Sequence, residues 1–257
     1  MIIFYISNFK IFGGNMKKIL LALILLIPVW TMAAETTVSM TGSSGLIAVP
    51  SGDTLSDNTV YLGSWMLLAN ETGYLPRFAV SILQGRFEIG GGGDIQHPND
   101  PSWLINAKYK LYDDKGGGLR VSFGGDYQHN SNANLSWDNG QLFLAFTWEG
   151  WAKTSVMFGK TFGDFTEKNN IDFGIGVERT LWSGGFGSFG LILDFVNYEY
   201  RLHKGSIRGA GETQRGIFSA GIRLGLFKNL INVDFASTDL LDASREFVFS
   251  AGIDLHF

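Results

Sequence analysis

The residues best placed to do chemistry in this chain are His129 and Ser131, in the run Gln128-His129-Asn130-Ser131-Asn132-Ala133. Side chains two apart on an extended strand share a face. An imidazole therefore stands beside a hydroxyl, and a His that takes the proton of a Ser makes it a nucleophile able to attack an ester. The pair continues the register of Val121, Phe123 and Tyr127, an oily face. A polar loop rich in Asn, Ser and His has the same composition without any chemistry, and it is the simpler reading. Two other groups are weaker still. Gly90-Gly91-Gly92-Gly93 ends an alternating segment with no helix after it, so the helix N-terminus that a phosphate loop needs is missing. His97 and His203, with Asp94 and Asp100, lack a recurring ligand spacing and read as solvated loops; no metal and no cofactor is expected.

The elements that would position these residues follow from composition. The chain has 257 residues, no Cys, 34 Gly, 14% aromatic and 17% charged residues, and a formal charge of −4. So aromatic and charge-poor a chain must place apolar surface somewhere, yet a mean hydropathy of +0.10 is too mild for a helical membrane protein. A barrel with an oily outside and a polar inside averages to such a value. The missing Cys excludes disulfides and a lipidated cysteine. A near-neutral charge gives no reason to expect nucleic acid as a partner.

Met16-Lys17-Lys18, the apolar run Ile19–Ile27, Pro28 and then Met32-Ala33-Ala34-Glu35 read as a secretory signal peptide cut near Ala33 or Ala34, with 1–15 an upstream extension. Residues 1–34 are thus expected to be absent from the mature protein. No second apolar stretch of spanning length follows, so the mature chain crosses a membrane only as a barrel. Residues 35–58 are small, polar and aperiodic, and read as a periplasmic lead-in or partial plug; 59–257 read as the barrel.

From Thr59 onward about twelve alternating segments near the length of a barrel strand can be counted, roughly 9–11 residues each. The expected fold class is therefore all-β, an antiparallel transmembrane barrel of about twelve strands. Short Gly-rich turns at 84–85, 113–117, 149–151, 181–187 and 226–229 alternate with longer polar links, including 69–76, 129–140 and 202–214. That asymmetry and an even strand count place both termini on the periplasmic side of an outer membrane.

The alternation assigns faces. Phe87, Ile89, Ile105, Tyr109, Phe123, Leu142, Leu144, Phe158, Ile175, Leu193, Phe235 and their like point to lipid. Arg86, Glu88, Lys108, Lys110, Arg120, Asp126, Lys153, Asp172, Glu178, Asp194, Arg223, Asp234 and Asp254 point to the lumen, because an Arg or Lys facing lipid at the midplane costs about 2–4 kcal/mol. These inward charges have two readings. They neutralise one another in a filled barrel, or they line a polar conduit with opposed acidic and basic walls. Inward Gly90, Gly92, Gly174, Gly176, Gly221 and Gly252 are expected to make room for long charged neighbours, and Trp65, Trp103, Trp148, Trp151 and Trp182 to form an interfacial girdle.

Three resemblances add expectations. The last strand, Glu246 to the terminal Phe257, resembles the C-terminal strand of bacterial outer-membrane β-barrels, whose final aromatic is read by the barrel-assembly machinery. The His129-Asn130-Ser131-Asn132 stretch resembles the His-x-Ser-Asn motif of outer-membrane phospholipase and lipid A deacylase. That implies a lipid esterase, and it implies a polar residue about a dozen positions after Ser131 to orient the His. Phe143 stands there, so Asp138 or Asn139 would have to substitute. The lead-in Thr41–Ser51, with Arg86-Phe87-Glu88-Ile89-Gly90 and Ala107-Lys108-Tyr109-Lys110, is similar to the YjbH-like outer-membrane proteins linked to exopolysaccharide, and implies a surface or export role without a catalytic residue. Taken together these readings give a porin or a transport or export component in the cell outer membrane. Its partners would be outer-membrane lipid and lipopolysaccharide, its solute undetermined; a lipid hydrolase and a non-conducting surface barrel are the alternatives.

Overall fold

A computed structural model describes residues 37–68, 72–95, 102–114, 118–132, 135–164, 171–198, 216–241 and 246–257. The expected signal peptide, His97, Asp100 and His203 lie outside them. Twelve strands close into one antiparallel barrel: β3 (Thr59–Leu68), β4 (Thr72–Ile82), β5 (Phe87–Asp94), β6 (Ser102–Asp113), β7 (Leu119–Asn132), β8 (Leu135–Glu149), β9 (Lys153–Gly163), β10 (Asp172–Gly184), β11 (Gly187–Val196), β12 (Ile217–Leu226), β13 (Ile231–Thr238) and β14 (Glu246–His256). Each strand pairs with its sequence neighbour, and β14 returns to β3 from His256↔Thr59 to Phe247↔Leu68. Closure leaves no strand edge, which is what a sheet in lipid requires. No helix among the described residues is long and apolar enough to cross a membrane.

The short turns gather at one end, with Thr59 and Phe257. One of them places Leu83, Gln84 and Gly85 at φ of 57°, 60° and 70°, which reverses the chain within residues 83–86. Arg86 stands in this turn and is exposed, so it is not a lumen residue; the inward face of β5 begins at Glu88. At the opposite end, residues 129–132 and 135–140, expected as loop, continue β7 and β8 in regular pairing through His129↔Asp138 and Ser131↔Ser136. Polar side chains do not stop a ladder once each backbone group has a cross-strand partner. Thr72–Pro76 likewise belongs to β4, with Pro76 opposite Ser64.

The outer face is oily, with Phe78, Ile89, Ile105, Phe123, Leu142, Phe158, Leu193 and Phe235 all exposed. Trp103, Trp148, Trp151 and Trp182 are exposed as well. Trp65 is not part of this girdle: it is 0% exposed, and its indole N–H donates to Val38 O at 3.2 Å. It belongs to an apolar cluster inside the barrel with Leu67, Leu75, Phe143, Met157, Ile192 and Val248 from the strands, and Met40, Leu46, Ile47 and Val49 from the segment before them. That segment, residues 37–55, is buried throughout and carries a two-residue ladder, β1 (Thr37–Val38) with β2 (Ser44–Gly45).

Candidate functional site

The site is the meeting of residues 37–55 with the inward face of the barrel, and it is built mainly from main-chain groups of the one and charged side chains of the other. An aperiodic segment buried inside a sheet has no ladder to satisfy its N–H and C=O groups, so the wall must supply partners. Glu88 does so with both oxygens, accepting from Ser44 N at 2.8 Å and Leu55 N at 2.9 Å. Lys108 beside it donates to Ser44 O at 2.8 Å and Ser51 O at 3.3 Å, 3.7 Å from Glu88. Asp194, across the lumen on β11, accepts from Ala48 N at 2.7 Å and Val49 N at 3.4 Å. Thr147 accepts from Gly52 N at 2.8 Å, and Ser122 donates to Gly52 O at 2.6 Å. Arg77 donates twice to Met40 O, at 2.9 and 2.7 Å.

Two ionic groups complete the interior. Asp53, from the segment, lies 2.8 Å from Lys153 Nζ and 3.1 Å from Arg120 Nη1. Burial works to raise its carboxyl, but Lys153 and Arg120 outweigh that and hold it down at about 2. Arg223 on β12 bonds Asp234 at 2.8 and 3.0 Å and Glu178 at 3.2 Å, all three side chains buried.

The lumen-lining candidates divide accordingly. Glu88, Lys108, Asp126, Asp172, Glu178, Asp194, Arg223, Asp234 and Asp254 are buried on the inner face. Lys110 and Arg120 are partly exposed toward the turn end. Arg86 is the exception already noted. The inward glycines make room for the segment and for ring systems as well as for long charged side chains. A Cβ on Gly176 would stand 2.8 Å from Leu46 Cδ2, and one on Gly174 would stand 3.1 Å from Val49 Cγ2. Gly63 and Gly252 lie under the ring of Tyr61. Arg77 and Asp53, which the face assignment did not include, also join the segment to the wall. The available signal was the inward phase of Arg77 on its strand; Asp53, in an aperiodic stretch, had none.

His129 and Ser131 stand apart from this interior. On the outer face, away from the turn end, the His129 ring stacks on Trp103, with centroids 5.7 Å apart. Its Nδ1 lies 2.8 Å from Asp138 Oδ1, which also accepts from Tyr127 OH at 2.8 Å. Phe143 is inside the barrel over Gly124, so the carboxylate beside His129 comes from across the β7–β8 pair. Asn139 is buried on the inner face. Among the described residues no group of three or more His, Cys, Asp or Glu side chains is arranged to hold a metal. Phe257 is 72% exposed, its N–H donating to Asn58 O at 3.0 Å.

A closed twelve-stranded antiparallel meander, oily outside and charged within, is the fold of the outer-membrane β-barrels. Two solved structures share this fold. The chain is similar to the KdgM porin, with TM-score 0.52 and 10% identity over 77% of this chain and 99% of that one. It is similar also to the NanC porin, with TM-score 0.51 and 8% identity over 77% and 100%. No family model matches the chain, and no curated protein matches its sequence.

Proposed function

We propose that this protein is an outer-membrane transport barrel of porin type whose lumen is closed by its own residues 37–55. The observation behind this reading is the way the segment is held. Glu88, Lys108, Asp194, Arg77, Ser122 and Thr147 reach its main chain from six strands, so the inner wall is polar where it meets the segment's backbone, and those groups are ready to be wetted when the segment leaves. The likeness to two porins agrees with a conduit. The resemblance of Thr41–Ser51 to exopolysaccharide-linked barrels suggests export of a surface polymer as one use of it.

The test is current through the full mature chain in planar bilayers. The unmodified protein should be silent, and Glu88→Ala combined with Asp194→Ala, which frees the Ser44, Leu55, Ala48 and Val49 amides, should conduct. A variant whose segment is demonstrably exposed but which stays silent would make this an anchoring barrel.

A second reading, a lipid esterase at the outer rim, is favoured by one observation: the Asp138 carboxylate is in place to orient His129, two residues from Ser131. Fatty-acid release from phospholipid or lipopolysaccharide that disappears in Ser131→Ala would support it. No release above a boiled control, with or without calcium, would remove it.

A further inference from the structure

Asp53 is the one charged side chain among residues 37–55. It meets the wall where three cations from three strands converge, Lys110 on β6, Arg120 on β7 and Lys153 on β9. Lys153 Nζ lies 2.8 Å from its Oδ2, and Arg120 Nη1 donates to the same oxygen at 3.3 Å while standing 3.1 Å from Oδ1, so both cations hold the one carboxylate. The other acidic neighbours belong to the wall. Glu149 bonds Arg120 Nη2, and Asp113 lies 3.8 Å from Arg120 Nε and 3.6 Å from Lys110 Nζ. Asp53 is the carboxylate that lies between Lys153 and Arg120.

The cluster is also reachable. The side chains of Arg120, Glu149 and Asp113 are 21%, 28% and 33% exposed at the turn end, whereas Asp53 is 7% exposed. An anion arriving from that end meets Arg120 without crossing the barrel.

We propose that Lys110, Arg120 and Lys153 form a binding site for a carboxylate-bearing solute, that Asp53 occupies it as a built-in stand-in, and that a solute carboxylate competing for the same cations releases residues 37–55. This rests on the reading of the protein as a transport barrel closed by that segment. Both carboxylates cannot hold Lys153 and Arg120 at once, so solute binding and segment docking are mutually exclusive and linked. Because Asp53 is intramolecular, the solute must outcompete a carboxylate already in place, and succinate is therefore titrated from millimolar concentration upward.

The chain has no Cys, so Ser51→Cys, at a position 0% exposed, makes a single reporter of segment release; Ala48→Cys is a second should the first disturb folding. Maleimide labelling of the full mature chain in lipid vesicles would be followed against succinate, with sodium chloride, sodium sulfate and succinamide at matched concentration as controls. Succinate should accelerate labelling about tenfold with saturation, the controls much less. Lys153→Gln and Arg120→Gln should blunt the succinate response. Asp53→Asn should label fast without succinate and gain little from it. A flat rate, an equal acceleration by chloride or sulfate, or a response that survives in both Lys153→Gln and Arg120→Gln would overturn the site. Current measured alongside separates the two claims. Labelling that responds to succinate while no variant ever conducts keeps the site and removes the transport reading; segment-loosened variants that conduct while labelling ignores succinate do the reverse.

Discussion

Replacing Lys108 by Met removes a cation that is 0% exposed and leaves Glu88, also 0% exposed, as a buried carboxylate without its nearest positive charge. Met keeps most of the aliphatic stem, so the loss is electrostatic and not one of volume. Removing one partner of a buried ion pair costs about 3–5 kcal/mol. Lys108 further donates to Ser44 O at 2.8 Å and Ser51 O at 3.3 Å, and both carbonyls lose a donor in a place water does not reach. Lys108→Met should therefore sit near the upper end of that range. Adding Glu88→Gln to it should recover part of the cost, because an amide has no charge to strand and its oxygen still accepts from either Ser44 N or Leu55 N. The coupling between the two sites should be about 1–3 kcal/mol. Arg86→Met, in the exposed turn, is the control, and should stay within about 0.5 kcal/mol of the parent. Urea unfolding of the barrel refolded in lipid vesicles, followed by tryptophan fluorescence, gives the stabilities of the parent, the two single variants, the double variant and the control. A Lys108→Met cost below about 1 kcal/mol, or strict additivity with Glu88→Gln, would refute the reasoning.

Three further outcomes are expected. Gly176→Leu puts a side chain where a Cβ alone meets Leu46 Cδ2 at 2.8 Å; overpacking of about 1–3 kcal/mol should raise maleimide access at Ser51→Cys about five- to hundredfold while the barrel stays heat-modifiable on gels. The Asp53 carboxyl is held at about 2 against its ordinary 3.8, so its contribution to docking, about 2 kcal/mol, is fully present above about pH 4 and is lost as pH falls through 2. After correction for the thiol's own ionisation, access at residue 51 should rise below about pH 4, and that rise should be absent in Asp53→Asn. Deleting Phe257, which is 72% exposed and makes one backbone bond, should lower the amount of assembled barrel without lowering the stability of what assembles; unchanged assembly would show that the terminal aromatic is not read.

Strand positions were legible because alternation is strict wherever lipid covers one face, as at Phe87, Ile89 and Ile105 on one side and Glu88 and Asn106 on the other. The charged inner face was legible for the same reason. What alternation alone did not disclose is the filling. Trp65, Phe143, Met157, Ile192 and Val248 occupy inward positions that suit neither lipid nor water, and they make sense only against Leu46, Ile47 and Val49 of a segment with no period of its own. The extension of β7 and β8 through His129 and Asp138 was hidden because loop-like composition there coexists with a full ladder. Asp138 reaches His129 from the neighbouring strand, at a separation no motif with a fixed downstream spacing would register.

The most direct test of the account is to record current while Ser51→Cys is modified. The side chain is 0% exposed, so a bulky charged methanethiosulfonate attached there leaves no room for the segment to return. The account predicts that reagent added at the turn end produces conductance that rises in step with modification, persists after wash-out, and falls back when a reductant removes the adduct. Complete modification with no change in current would contradict it, since the segment would then be out and the barrel still closed.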